Sequence, residues 1–262
     1  MSGTVVPTRR SGRPLHGEPI LQRAFRVLGA FAAAGEGLPL HALAARAGLP
    51  KSTTSRIAAQ LIGVGALERL DNGDFVVGLH LLEIASLAPR GHGLRAAALP
   101  FMQDLHQVTG QHILLAVRDG QEAVLVERLS ARDAAAVKYR VGGRLPLART
   151  GIGVALLAHA PEQVRDEALA TAPDAGNLRR LMATVRREGV CAMTGPNPLR
   201  IGPNPAPTGP TTMSSVAAPI LSRRGDPLGA LSLVAPDEGG SQVGVRVALR
   251  TASLAISRIV GS

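Results

Sequence analysis

The sequence predicts an α+β chain in two parts, a small winged helix-turn-helix and a larger antiparallel sheet flanked by helices. Three observations carry this. Helical stripes separated by short breaks occupy positions 20–64. Two short β-runs joined through Asn72-Gly73 follow at once. Beyond position 112, short apolar runs bounded by Gly and Asp turns alternate with helical stretches.

Residues 1–19 read as a flexible arm rich in Gly, Pro, Ser and Thr, with Arg9, Arg10 and Arg13 close together. Ile20, Ala24, Val27, Leu28 and Phe31 then form a helical stripe ending near Gly35. A shorter stripe of Leu40, Leu43, Ala44 and Ala47 stops at Gly48-Leu49-Pro50. The third helix opens at Lys51, with Thr54, Ile57, Ala58, Leu61 and Val64 expected inside. Its outer face carries Lys51, Ser52, Thr53, Ser55, Arg56 and Gln60. Strands at 67–70 and 75–77 meet through Asp71-Asn72-Gly73-Asp74, where both central residues are expected at positive φ.

This order is that of a winged helix-turn-helix, with residues 20–80 as its domain. Small residues on the second helix let the third pack close to it, and the turn glycine lets the pair cross steeply. The third helix can then offer a short polar face to a major groove, with Arg56 able to bond both guanine acceptors.

A helix at 79–88 precedes a break at Pro89–Gly93, and 81–95 is read as the linker to a domain spanning 96–262. That domain opens with a helix at 94–109 and strands at 113–118, 123–129 and 135–141. Helices at 151–160, 161–171 and 176–188, strands at 213–221 and 228–234, and a helix at 243–260 complete it.

The charge agrees with a polyanionic partner: 29 Lys+Arg face 19 Asp+Glu, for a net +10, and Lys51 and Lys138 are the only lysines. Arginines on solvated faces would give the same balance, so pattern rather than charge decides. No apolar run is long enough to span a bilayer, and the polar, arginine-bearing start is unlike a secretory signal, so a cytoplasmic location is expected. One cysteine, Cys191, excludes an internal disulfide framework.

The residues from Ile20 to Leu82 resemble the IclR family of regulators, chiefly GLPLHALAARAGLPKSTTSRIAAQL (37–61) and ALERLDNGDFVVGLHLLEIA (66–85). RVGGRLPLARTGIGVALLA (140–158) resembles that family's effector-domain signature, and SSVAAPIL (214–221) and GDPLGALSLVAP (225–236) its two final strands. The resemblance implies a GAF-like effector-binding domain, a homodimer or homotetramer on operator DNA, and repression relieved or imposed by a small organic acid or aromatic compound. DNA contacts would fall to Lys51, Ser52, Thr53, Ser55 and Arg56, with Asn72 and Gly73 at the wing tip. Ligand contacts would fall to Leu147, Thr150, Gly151 and Ile152 on one wall and Met213, Ser215, Leu228, Ala230 and Ser232 on the other. Arg149 is placed to pair with an acidic ligand, and Gly151 and Gly153 to admit one to a helix N-terminus.

Two departures stand out. Gly153-Val154-Ala155 replaces the family's Gly-Lys-Ala, and the loop 194–212 is proline-rich and holds no acid. No enzyme motif occurs: H-E-x-x-H, G-x-S-x-G and the P-loop are absent, and Gly151-x-Gly153 lacks the third glycine of a dinucleotide fingerprint at Leu156. No cofactor or metal is expected. The alternatives left open are a DNA-binding protein without a ligand and a Cys191-dependent enzyme on a GAF-like domain.

Overall fold

The computed structural model describes residues 18–31, 36–130, 139–196, 210–237, 239 and 242–261, without the side chains of residues 89–92. The chain divides into two compact units, Met1–Ser86 and Leu87–Ser262.

In the first unit α1 (Ile20–Leu28), α2 (Leu40–Ala47) and α3 (Lys51–Gly63) enclose one apolar cluster. Each helix sends at least one fully buried side chain into it, Val27, Leu43 and Ile57 among them, which is the outcome of the 3.6-residue stripes. Gly48 ends α2 in the left-handed region (φ 62°), giving the tight reversal into α3. Arg26 fastens α1 to that reversal: it donates to the carbonyls of Ala47 and Gly48 and pairs with Glu18 at 2.5 Å. Val64 is exposed, because α3 ends at Gly63 and Val64 caps it facing solvent.

The wing is β1 (Leu67–Arg69) paired antiparallel to β2 (Phe75–Val77). Its turn corrects the sequence expectation. Only Gly73 takes positive φ (87°); Asn72 does not. Gly73 N–H donates to Leu70 O (2.8 Å) and Leu70 N–H to Asp74 O (2.9 Å), so the loop is three residues closed by one left-handed glycine. Asn72 Oδ1 instead accepts from Asp74 N–H (3.0 Å), an Asx turn. The unit ends with α4 (Leu79–Ser86).

In the second unit α5 (Pro89–Thr109) begins at Pro89. The break expected at Pro89–Gly93 is thus its first turn, where proline has no amide to lose. A six-stranded antiparallel sheet follows, from β3 (His112–Asp119), β4 (Glu122–Leu129), β5 (Arg144–Pro146), β6 (Cys191–Pro196), β7 (Thr212–Leu221) and β8 (Pro227–Pro236), in the order β5-β4-β3-β8-β7-β6. α5 and α9 (Val243–Val260) cover one face, around Met102, Leu115, Ile220 and Leu249. The other face packs against α6 (Gly151–Leu157), α7 (Glu162–Thr171) and α8 (Ala175–Glu188), around Leu114, Leu125, Leu156 and Met182. Having both faces covered explains strands that read as continuous apolar runs rather than alternating ones.

The strand expected at 135–141 falls mainly on residues outside those described; Tyr139 to Val141 are not in a strand, and β5 lies further on. The arm 1–19 likewise lies almost wholly outside them, as does 197–209 of the proline-rich loop, whose first residues belong to β6. Among the described residues no helix is long and apolar enough to cross a membrane.

Candidate functional site

The first site is the outer face of α3 with the wing. Thr54, Ile57 and Ala58 turn inward, which leaves Lys51, Ser52, Ser55 and Arg56 exposed and Thr53 half-buried along the opposite face. Thr54 Oγ1 donates to Pro50 O (3.1 Å), fixing the first turn without using any residue of the polar face. Asn72 and Gly73 form the tip of the wing, stiffened by Arg69, whose Nε donates to Gly73 O (3.1 Å) and whose guanidinium stands 5.7 Å over the Phe75 ring. A polar helix face carrying Lys51 and Arg56, with its hydroxyls free of the helix's own capping, is chemically suited to phosphates and base edges.

The second site is a cavity of about 580 Å³ in the other unit, within the usual range for a small-molecule pocket. Its wall holds Arg149, Thr150, Gly151 and Ile152 from the start of α6, and Met213, Ser215 and Ser232 from β7 and β8. Thr150 fixes the first of these segments by capping α6, accepting from Gly153 N–H (3.2 Å) while donating to Pro146 O (3.0 Å). Both glycines serve close packing. A methyl on Gly153 would lie 2.5 Å from Leu147 O and 2.6 Å from Leu147 Cα, and one on Gly151 would lie 2.5 Å from Ser215 Oγ. The room beside Gly153 is filled by the protein's own chain, which corrects the expectation that this glycine admits a ligand.

Three expected wall residues lie elsewhere. Leu147 is 1% exposed and belongs to the core under α6. Ala230 is 0% exposed in that same core, two residues before Ser232 on β8. Leu228 points to the opposite face, packing with α5 and α9. The pairing explains it: Gly229 sits opposite Ile220 but Pro227 opposite Leu221, so Leu228 is an extra residue and the side-chain alternation reverses there.

Leu114, Tyr139, Leu145, Met193 and Val234 also line the cavity, without having been expected there. Met193 is set by the register Met193↔Ser215 between β6 and β7, and Leu114 by Leu114↔Ser232 between β3 and β8. Burial pushes the Tyr139 phenol above its ordinary value, which keeps it a neutral hydroxyl. Arg149 is exposed at the wall and is the only charged side chain among the described lining residues.

Ser232 is the most informative residue. It is 1% exposed, and its Oγ finds no hydrogen-bond partner. Its cross-strand neighbours are Leu114 and Ala217, neither of which offers one. A buried hydroxyl left in this way costs the folded state about 1–3 kcal/mol.

Cys191 is buried against α6, its Sγ 3.7 Å from Gly151 O, and burial pushes its thiol up to about 12. A thiol so held is not a thiolate at neutral pH and makes a poor nucleophile. Among the described residues no group of His, Cys, Asp and Glu is placed to hold a metal ion.

Comparison with known proteins agrees with this arrangement. The IclR helix-turn-helix domain matches residues 20–71, and the bacterial transcriptional regulator IclR C-terminal domain matches residues 88–197. The transcriptional repressor IclR of Escherichia coli is 27% identical over 146 residues, 55% of this chain and 53% of that protein. The HTH-type transcriptional repressor AllR of Escherichia coli is 28% identical over 170 residues, 58% of this chain and 59% of the relative. The chain thus spans little more than half the length of these curated relatives. A crystal structure of an IclR homologue from Microbacterium hydrocarbonoxydans, complexed with 4-hydroxybenzoate, matches far more fully. It is 33% identical, with 92% of this chain and 98% of that one covered at a TM-score of 0.76. The chain belongs to the IclR family of bacterial transcriptional regulators.

Proposed function

We propose that the protein is a ligand-responsive transcription repressor, binding operator DNA through α3 and the wing and sensing a small organic acid in the 580 Å³ cavity. The observation that carries the reading is the orphaned hydroxyl of Ser232, a residue of the cavity lining, on a chain that also bears an exposed helix-turn-helix face. An aromatic acid suits the walls. Its ring would lie among Leu114, Leu145, Ile152, Met193 and Met213, with its carboxylate toward Arg149. The relative crystallised with 4-hydroxybenzoate supports that class. The role assigned is regulation rather than catalysis, in the cytoplasm, with domains at 20–80 and 96–262 joined through 81–95.

The test is a gel shift on DNA upstream of the protein's own gene, at fixed salt with excess nonspecific competitor. A discrete, competitor-resistant complex released by 4-hydroxybenzoate or a related acid is expected. Smeared binding that salt removes, and that no acid affects, would sink the reading. Within that assay Arg56→Ala is expected to weaken operator binding by roughly 1–3 kcal/mol and to relax preference at one base pair. Equal loss on all sequences would demote Arg56 to a phosphate contact.

The working form is a dimer or a dimer of dimers. α4 buries none of its eight residues, leaving Leu79, Leu82 and Ile84 exposed, and α1 leaves Leu21 and Phe25 71% and 72% exposed. Apolar side chains concentrated on two helices of a small unit are the mark of a surface covered by another chain. Light scattering on the purified protein is expected to return at least twice the 27.0 kDa chain mass; a monomer at micromolar concentration would remove this part of the proposal.

A further inference from the structure

The second unit holds another cavity, of about 520 Å³, which the effector reading does not use. Its described lining carries Arg186 and Arg187 from α8, Arg223 from the β7–β8 turn, Arg250 and Arg258 from α9, and His159 beyond α6. No carboxylate is among them. The neighbouring Glu188 is divided between Arg187 (2.6 Å) and Arg246 (3.7 Å), and Asp226 is held within its own turn by Ser222. Arg223 and Arg250 have no ion-pair partner among the described residues.

Like charges gathered in a concavity oppose folding unless something offsets them. The cluster is nonetheless built in. Arg186 Nε donates to Ala158 O (2.6 Å), which orients its guanidinium. Arg250 lies over the left-handed Gly189 (φ 73°), where a Cβ would stand 3.1 Å from its Nε. The half-buried His159 is held below its ordinary value chiefly by burial, with the neighbouring Arg186 charge acting in the same direction. Val185, Pro219, Leu221 and Leu254 give the same cavity an apolar wall.

We propose that this groove is a second ligand site, for a small molecule carrying two or more phosphate groups and an apolar or aromatic body. Guanidinium forks match phosphate oxygens in pairs, and several set around one concavity suit clustered rather than single charges. A DNA duplex is the less favoured occupant, because its phosphates lie on a convex rod and would leave the apolar wall uncovered. The site is also connected to the effector pocket. α6 runs from Gly151 in that pocket toward His159 here, and β7 from Met213 and Ser215 toward Pro219 and Leu221. A ligand that shifts either element in one cavity is therefore linked to binding in the other.

The test is calorimetric titration of the full chain with sodium tripolyphosphate, pyrophosphate and ADP at fixed ionic strength. Saturable binding is expected, weakened about tenfold or more in R223Q/R250Q. The charge-matched R179Q/R180Q, exposed on α8 outside the groove, is expected to bind as wild type. ADP is expected to bind more tightly than pyrophosphate, and equal affinity would overturn the role given to the apolar wall. No saturable binding at millimolar concentration, or none of it lost in R223Q/R250Q, would overturn the site. So would a wild type that ignores tripolyphosphate while R223Q/R250Q loses affinity for a short duplex, which would mark a DNA track instead. Unchanged circular dichroism of the variants excludes unfolding as the cause.

Discussion

Gly78→Ala is expected to destabilise the N-terminal unit by about 3 kcal/mol or more, a large share of what a unit of this size can spare. A methyl at this position would stand 2.1 Å from Gly65 O, 2.9 Å from Gly65 C and 3.1 Å from Ala66 C. All three atoms are backbone, so no side-chain rotation relieves the overlap. Gly78 also donates its N–H to Ala66 O (3.0 Å), which closes the end of the wing onto the reversal after α3. The wing and recognition helix must therefore part if the methyl is to fit. Operator binding is expected to vanish, and limited proteolysis to cut the first unit, while the second unit still binds its acid. Gly63→Ala is the control, since nothing lies within 4 Å of its added methyl and the helix gains about 0.5–1 kcal/mol. A Gly78→Ala protein that melts and binds DNA as wild type would show that the wing is not seated on this contact.

The Gly78 contact joins residues distant in local pattern, and such relations leave little trace in a sequence. The three stripes of α1 to α3 were legible because each helix buries one face in one small cluster, so Val27, Leu43 and Ile57 announce themselves by period. The wing was legible as a hairpin but not in its turn geometry, since Asn-Gly suits both a two-residue turn and the three-residue loop that forms. In the second unit the strands from His112 to Leu129 and from Thr212 to Pro236 were legible as apolar runs. β5 and β6 were not: each is a short edge strand, Arg144–Pro146 and Cys191–Pro196, with little alternation of its own. The placing of Leu228 failed for a similar reason. A bulge is a relation between two strands, and a single strand's pattern carries no trace of it. The arginine groove was invisible because α8, a turn and α9 supply its charges from positions 186 to 258.

Ser232→Ala is expected to move two quantities in opposite directions, and that opposition is what separates a ligand contact from a structural hydroxyl. In the free protein Ser232 Oγ is buried without a partner, flanked by Leu114 and Ala217, so its removal relieves a desolvation cost and leaves only a hydroxyl-sized gap. The melting temperature without ligand should rise, by up to about 1 kcal/mol of stability. Affinity for an acid bearing a hydrogen-bonding group at that point should fall by about 1–3 kcal/mol. Ligand-induced stabilisation follows the logarithm of ligand concentration over Kd, so at high 4-hydroxybenzoate the order of the two melting curves should reverse. Ser215→Ala gives no such crossing, because Ser215 Oγ already has Met193 O at 3.5 Å and its loss does not relieve an orphan. If Ser232→Ala lowers stability with and without acid alike, the hydroxyl has a role within the fold and the pocket reads its ligand elsewhere. If stability rises and affinity is untouched, the ligand binds without reaching β8, and Arg149 and Thr150 at the other wall become the residues to vary.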